Sequence, residues 1–172
     1  MAVKAPRTRT LLAASLSVAL AALTAGCTSG PSSPSAPSAS AGSPAVPGRI
    51  HVQVADVDLT ITDAVAHLDH SGDGSLSMAV RNDDGVPEHL AMVSTPDGGR
   101  GRLTGAKSAE GNGSLSTAGI LLRDGTTVTF GAGGPRVLLH HVQGVTARHT
   151  LPVALQFGVA GLVRFQARVA SS

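Results

Sequence analysis

From residue 49 onward this chain repeats one pattern: apolar residues at every second position, in short runs cut by glycine-bearing turns. Ile50, Val52 and Val54 alternate, as do Leu76, Met78 and Val80. Leu151, Val153, Leu155 and Phe157 form a third run, and Val163, Phe165, Ala167 and Val169 a fourth. Val128 with Phe130 is a shorter instance. Period two gathers the apolar side chains of a run on one face of an extended strand; a helix would scatter them. Between the runs stand Asp73-Gly74, Asp84-Gly85, Pro96-Asp97-Gly98-Gly99, Asp124-Gly125 and Gly133-Gly134-Pro135. These residues favour the dihedrals that reverse a chain. Val57, Leu59 and Ile61 continue the first run in the opposite phase, which predicts a bulge near Ala55-Asp56. No segment after residue 49 carries a helical stripe longer than two turns. Residues 49–172 therefore read as one all-β domain, a Greek-key β-sandwich of seven to nine short strands. Phe157 is expected in its core.

The N-terminus obeys different rules. Lys4, Arg7 and Arg9 precede an apolar run of 13 residues, Leu11 to Leu23, and then Thr24-Ala25-Gly26-Cys27. That run suits a signal peptide and is shorter than the roughly 20 residues a membrane-spanning helix needs. Small residues before the single cysteine resemble a bacterial lipobox, with Thr24 where leucine is commoner. Residues 1–26 are thus expected to be a lipoprotein signal peptide, with Cys27 the acylated first residue of the mature chain. The expected location is the cell membrane, lipid-anchored on the extracytoplasmic face. Residues 27–48, rich in Ser, Pro and Ala and free of charge, read as a tether. In extended form such a tether reaches about 60 Å.

Charge and composition exclude several functions. Of 13 Lys and Arg, three fall before Cys27, so the remainder carries ten against 11 Asp and Glu. With three Phe and no Trp or Tyr, there is no basic, aromatic-studded face for nucleic acid. No Gly-x-Ser-x-Gly elbow surrounds a serine, and no thiol remains free once Cys27 is acylated. Gly131-Ala132-Gly133-Gly134 is followed by no helical pattern, so it does not read as a phosphate loop. A non-enzymatic protein is expected.

Three strings carry a family resemblance. Residues 75–96 (SLSMAVRNDDGVPEHLAMVSTP) read as a strand, an Asn-centred turn and a strand ending in Ser-x-Pro. Residues 120–134 (ILLRDGTTVTFGAGG) and 151–169 (LPVALQFGVAGLVRFQARV) follow in order. Together they resemble the extracytoplasmic PCu(A)C copper chaperones, which implies a cupredoxin-like, Ig-like Greek-key sandwich. In that family Cu(I) is held by a His, a Met after ten intervening residues and, after twenty-one more, a His-x-Met just past the Gly-Gly turn. Soft thioether and imidazole donors suit Cu(I). Carried over by spacing, the four positions are Leu103, Ser114, Arg136 and Leu138. None is a ligand, and the guanidinium of Arg136 would repel the ion.

Substitute donors are His89, Met92, His140, His141, His67 and His70. His89 and Met92 lie three apart on a strand, and His140 and His141 are adjacent. Each pair is therefore expected to point to opposite faces. His67 and His70 form a His-x-x-His beside Asp69 and Asp73. Met78 reads as core. No cofactor is assigned; copper is the one metal the resemblance implies. The favoured function is a membrane-anchored, copper-chaperone-like lipoprotein without the usual site, acting as a binding or assembly module. Its partners would be membrane lipid through Cys27 and a copper-oxidase assembly factor or another extracytoplasmic protein. The alternatives are a working chaperone with a relocated His/Met site, and a cell-surface interaction domain unrelated to copper.

Overall fold

A computed structural model of the protein describes residues 46–54, 56–106 and 111–170. The expected signal peptide, Cys27 and nearly all of the tether lie outside the described residues. Eleven strands follow in sequence: β1 (Ile50–Val54), β2 (Val57–Leu68), β3 (Gly74–Asn82), β4 (Glu88–Ser94), β5 (Arg100–Thr104), β6 (Leu115–Ser116), β7 (Gly119–Leu122), β8 (Thr126–Phe130), β9 (Arg136–His140), β10 (Thr150–Phe157) and β11 (Leu162–Ala170). The all-β class is as expected. The count is higher than seven to nine because β5, β6 and β7 carry too few alternating apolar residues to stand out. The sole helical turn among the described residues is Pro96–Gly98, where Asp97 takes a positive φ of 58°.

Pairing closes a ring in the order β2, β11, β10, β4, β5, β9, β3 and back to β2. The β2–β11 pair is parallel; the rest are antiparallel. Strands β3 and β4 each divide one edge between two partners. β3 pairs β9 through residues 74–76 and β8 through 78–82. β4 pairs β7 through residues 88–90 and β5 through 93–94. The result is a sandwich of two sheets at one end and a closed barrel at the other. At the closed end no strand edge is left unpaired among the described residues, whereas β1, β6 and β8 each keep one free edge at the sandwich end.

The phase reversal between the first two runs has a different cause from the bulge expected near Ala55-Asp56. β1 and β2 are a hairpin, with Val54 opposite Val57, Val52 opposite Leu59 and Ile50 opposite Ile61. A tight reversal puts even positions of one arm across from odd positions of the other. The bulge lies further on, between Thr62 and Val65, where Asp63 takes a φ of 53°. Leu59, Ile61, Val80, Leu90, Leu139 and Leu155 are fully buried, and Phe130 and Phe157 are 1% exposed. Each such side chain contributes about 1.5–3 kcal/mol by leaving water. Met78 is buried among them, as expected. Gly48, at the end of the expected tether, is already part of the fold: its N–H donates to the Gln166 carbonyl at 2.6 Å, and its carbonyl accepts from Ala64 at 3.0 Å.

Candidate functional site

The segments that carry the four family positions do converge. β5 lies beside β9, with Thr104 across from Arg136, Leu103 from Val137 and Arg102 from Leu138. Just beyond, Ala106 N–H donates to the Gly113 carbonyl at 2.9 Å. A Cβ on Gly113 would meet Pro135 at 3.2 Å, so this turn stacks directly on the start of β9.

The side chains do not converge as the spacing implied. Residues directly opposite on antiparallel strands share a face. Arg136 and Leu138 therefore share the outward face with Thr104 and Arg102, whose flanking exposure agrees. Leu103 points the other way and packs against the core. The same inward parity explains Gly101, where a Cβ would stand 2.7 Å from the Val93 side chain. Ser114 is 8% exposed, and its backbone is tied to Gly111 and Leu121. The residue facing Arg136 is Thr104, one place beyond the position counted from spacing. The corner thus presents a hydroxyl, two guanidiniums and an isobutyl group. These are not donors for Cu(I), which takes thioether, thiolate or imidazole.

The substitute donors fall into two groups: His67, His70, His140 and His141 around the β2–β3 turn and the end of β9, and His89 with Met92 on β4. His51 bonds Asp58 at 2.8 Å on the β1–β2 hairpin, and His67 Nε2 lies 3.2 Å from Ser77 Oγ. His70 sits in the turn after β2, but its neighbour Asp69 is already committed. Asp69 Oδ1 accepts from Ser71 N–H at 2.8 Å, Ser71 Oγ at 2.6 Å and Asp73 N–H at 3.1 Å. The Ser71 hydroxyl, then these amides, hold the Asp69 carboxyl below its ordinary 3.8. His141 is not in a strand. It follows β9 with a φ of 54°, and its N–H donates to Asp73 Oδ1 at 2.9 Å. His140 Nδ1 is 3.8 Å from the same oxygen. Among the described residues, no three His, Cys, Asp or Glu side chains group to hold a metal.

One pair departs from expectation in the other direction. The pairing of β4 with β10 jumps from Met92–Gln156 to Leu90–Phe157, leaving Ala91 as an extra residue. Glu88, Leu90 and Val93 face inward, while His89 is half-buried and Met92 is 51% exposed. The bulge reverses the parity, so His89 and Met92 lie on the same outward side. Met92 also lines an open groove of about 600 Å³ with Pro152, Ala154, Gln156, Leu162 and Arg164.

Sequence reasoning missed Glu88. It is 1% exposed, yet its carboxylate accepts five hydrogen bonds from four backbone amides. His89, Gly158, Val159 and Ala160 supply them at 2.6–3.1 Å. The signal was available: Glu88 holds the same parity as Leu90, the inward one. A buried carboxylate must be matched in this way or it costs several kcal/mol. Glu88 anchors the β10–β11 turn.

Neither a scan against protein-family models nor a search of curated proteins gives a match. Solved structures do match. A copper-bound PCuAC domain from PmoF2 is 21% identical with a TM-score of 0.54, over 72% of this chain and 99% of that one. An apo PCuAC domain from PmoF1 is 20% identical with a TM-score of 0.56, over 72% and 100%. An apo PmoF2 PCuAC domain is 20% identical with a TM-score of 0.52, over 71% and 95%. The chain has the fold of these domains from end to end of each.

Proposed function

We propose that this protein is a membrane-anchored lipoprotein whose PCuAC-type domain has given up the Cu(I) site and works as a binding or assembly module. The observation that carries this reading is the corner of β5 and β9. There Thr104, Arg136 and Leu138 occupy the outward positions, with Arg102 beside them, and no thioether or imidazole is among them. A guanidinium at that corner opposes a cation by charge and offers it no lone pair. Anchoring through Cys27 rests on the residues around it, and a non-catalytic role rests on the lack of any nucleophile or acid–base constellation among the residues discussed. The partner class implied is an extracytoplasmic protein, with a copper-oxidase assembly factor the first to try.

The test is competition for Cu(I) against a calibrated chelator. The expected result is no one-to-one binding beyond that of an unstructured peptide with equal His and Met content. Tight one-to-one binding would overturn the reading. One observation supports the second reading, a relocated site: the β4 bulge puts His89 and Met92 on one side of the strand. Under that reading, any Cu(I) binding disappears in His89→Ala/Met92→Leu and survives in Arg136→Ala.

A further inference from the structure

The outward face of β5 and β9 carries more than a vacated metal corner. Arg100, Arg102 and Thr104 alternate along β5, and opposite them stand His140, Leu138 and Arg136. Three arginines therefore occupy one face of two paired strands, around Leu138. Arg100 and Arg102 are two residues apart on one strand, and Arg136 is diagonal to Arg102. Both relations space side-chain bases by about 7 Å. All three arginines are exposed, and none has a carboxylate partner among the described residues. Unpaired like charges so close repel one another.

One group of carboxylates lies well away from this face. Asp83, Asp84 and Asp124 crowd the far end of β3, where Gly85 N–H donates to Asp124 Oδ1 at 2.8 Å and Asp83 N–H to the Asp58 carbonyl at 2.9 Å. The β9 pairing occupies the start of β3, roughly 20 Å away at the rise of a strand. Nearer the face stands Asp73, whose carboxylate accepts from His141 N–H at 2.9 Å and lies 3.8 Å from His140 Nδ1, so it is engaged with the end of β9 and not with the arginines. The cationic face is built on two strands whose inward sides are pinned by Val137, Leu139 and Leu103, so it is rigid. It is also remote from the point where the N-terminal segment joins the fold. Gly48 is tied to β2 and β11, and β5 and β9 lie across the ring from that seam.

We propose that this arginine face is the docking surface for an acidic segment of a partner protein. The inference rests on the reading of the chain as a binding module. Guanidiniums favour it because each can grip a carboxylate through two parallel N–H donors, and Leu138 and Ser75 beside them supply a small non-ionic floor. A protein partner is favoured over a lipid surface because three arginines fall short of the cluster of about four to eight basic residues that holds a protein on anionic lipid, and no Phe, Tyr or Trp stands on these strands to insert. Steering by three clustered positive charges accelerates encounter and weakens with salt.

The probe is a fluorescent ten-residue peptide alternating Glu and Gly, titrated by anisotropy into the full chain carrying Cys27→Ala, so that no acyl chain contributes. Arg100→Gln/Arg102→Gln/Arg136→Gln should weaken binding about tenfold or more. The control Arg49→Gln/Arg148→Gln/Arg164→Gln, which removes equal charge elsewhere, should change it less than about twofold. Equal losses in both variants would reduce the effect to net charge and overturn the proposal. So would absence of peptide binding, or binding through these three arginines to vesicles containing phosphatidylglycerol but not to the peptide. Salt-sensitive self-association in sedimentation, abolished by the same variant, would make the acidic end of a second copy the partner and also overturn it. Tight Cu(I) binding in the chelator assay would sink the functional reading whatever the peptide does; peptide failure without Cu(I) binding sinks only the surface.

Discussion

Glu88 shows how much one buried side chain can organise. Its carboxylate holds residues 158–160, the turn that lets β10 pass into β11. Glu88→Gln keeps the shape but turns an acceptor into a donor facing amide N–H groups. Each charge-assisted bond so lost is worth about 1.5–3 kcal/mol, so the urea midpoint should fall by at least that much free energy. Amide exchange at Gly158, Val159 and Ala160 should quicken before the rest of the sheet. An unchanged midpoint would show that the turn is held by its backbone alone. Asp69 offers a test with a pH sign. Its folded-state pKa is lowered by Ser71 and the Asp73 amide. A lowered value means the ionised form stabilises the fold above the ordinary 3.8, and that contribution fades as pH falls through the lower folded value. Asp69→Asn should therefore be less stable than the parent chain at pH 7, with the gap closing in acid. A gap that stays constant down to pH 2 would mean that charge plays no part.

At the scale of strands, alternation made β1, β2, β3, β10 and β11 legible because each buries one face and pairs through long, regular ladders. The expected core position of Phe157 follows from the same parity. What stayed hidden were the places where parity breaks. The extra residue at Ala91 is accommodated by Gly119, whose missing Cβ would sit 2.7 Å from the Ala91 Cα. That contact joins residues far apart in sequence, and no local pattern announces it. It is why His89 and Met92 share a side against expectation. The site suffered likewise: counting residues back from Arg136 lands on Leu103, whereas pairing gives Thr104 as its neighbour. This register can be tested. Thr104→His/Arg136→His/Leu138→Met places two imidazoles directly across a strand pair, with bases about 5 Å apart, and a thioether two residues on. It should gain one-to-one Cu(I) binding by chelator competition. The variant with Leu103→His in place of Thr104→His should gain none and should melt earlier, because the imidazole replaces a core contact. Ser114 is left unchanged in both, since a Met at this buried position would overpack. Equal affinity in both variants would refute the register.

The described strands close a ring, and the proposed anchoring and recognition would fall at different places on its circumference. The N-terminal segment joins at the β2–β11 seam through Gly48, and the arginine face looks outward across the ring. A lipid on Cys27 followed by a 21-residue uncharged segment would leave that face free to turn toward soluble partners, because the segment's reach exceeds the width of a domain this size. Anchoring and recognition should then be separable. Cys27→Ala should move the protein from the membrane to the soluble fraction and abolish incorporation of labelled palmitate. Peptide binding by the arginine face and the urea midpoint of the domain should stay unchanged. The separation has a physical basis: one thioether would carry the proposed membrane attachment, and none of the strand pairings described above reaches back to residue 27. Membrane retention of Cys27→Ala, together with a parent chain that takes up no lipid, would overturn the lipoprotein reading while leaving the fold and its arginine face where they stand.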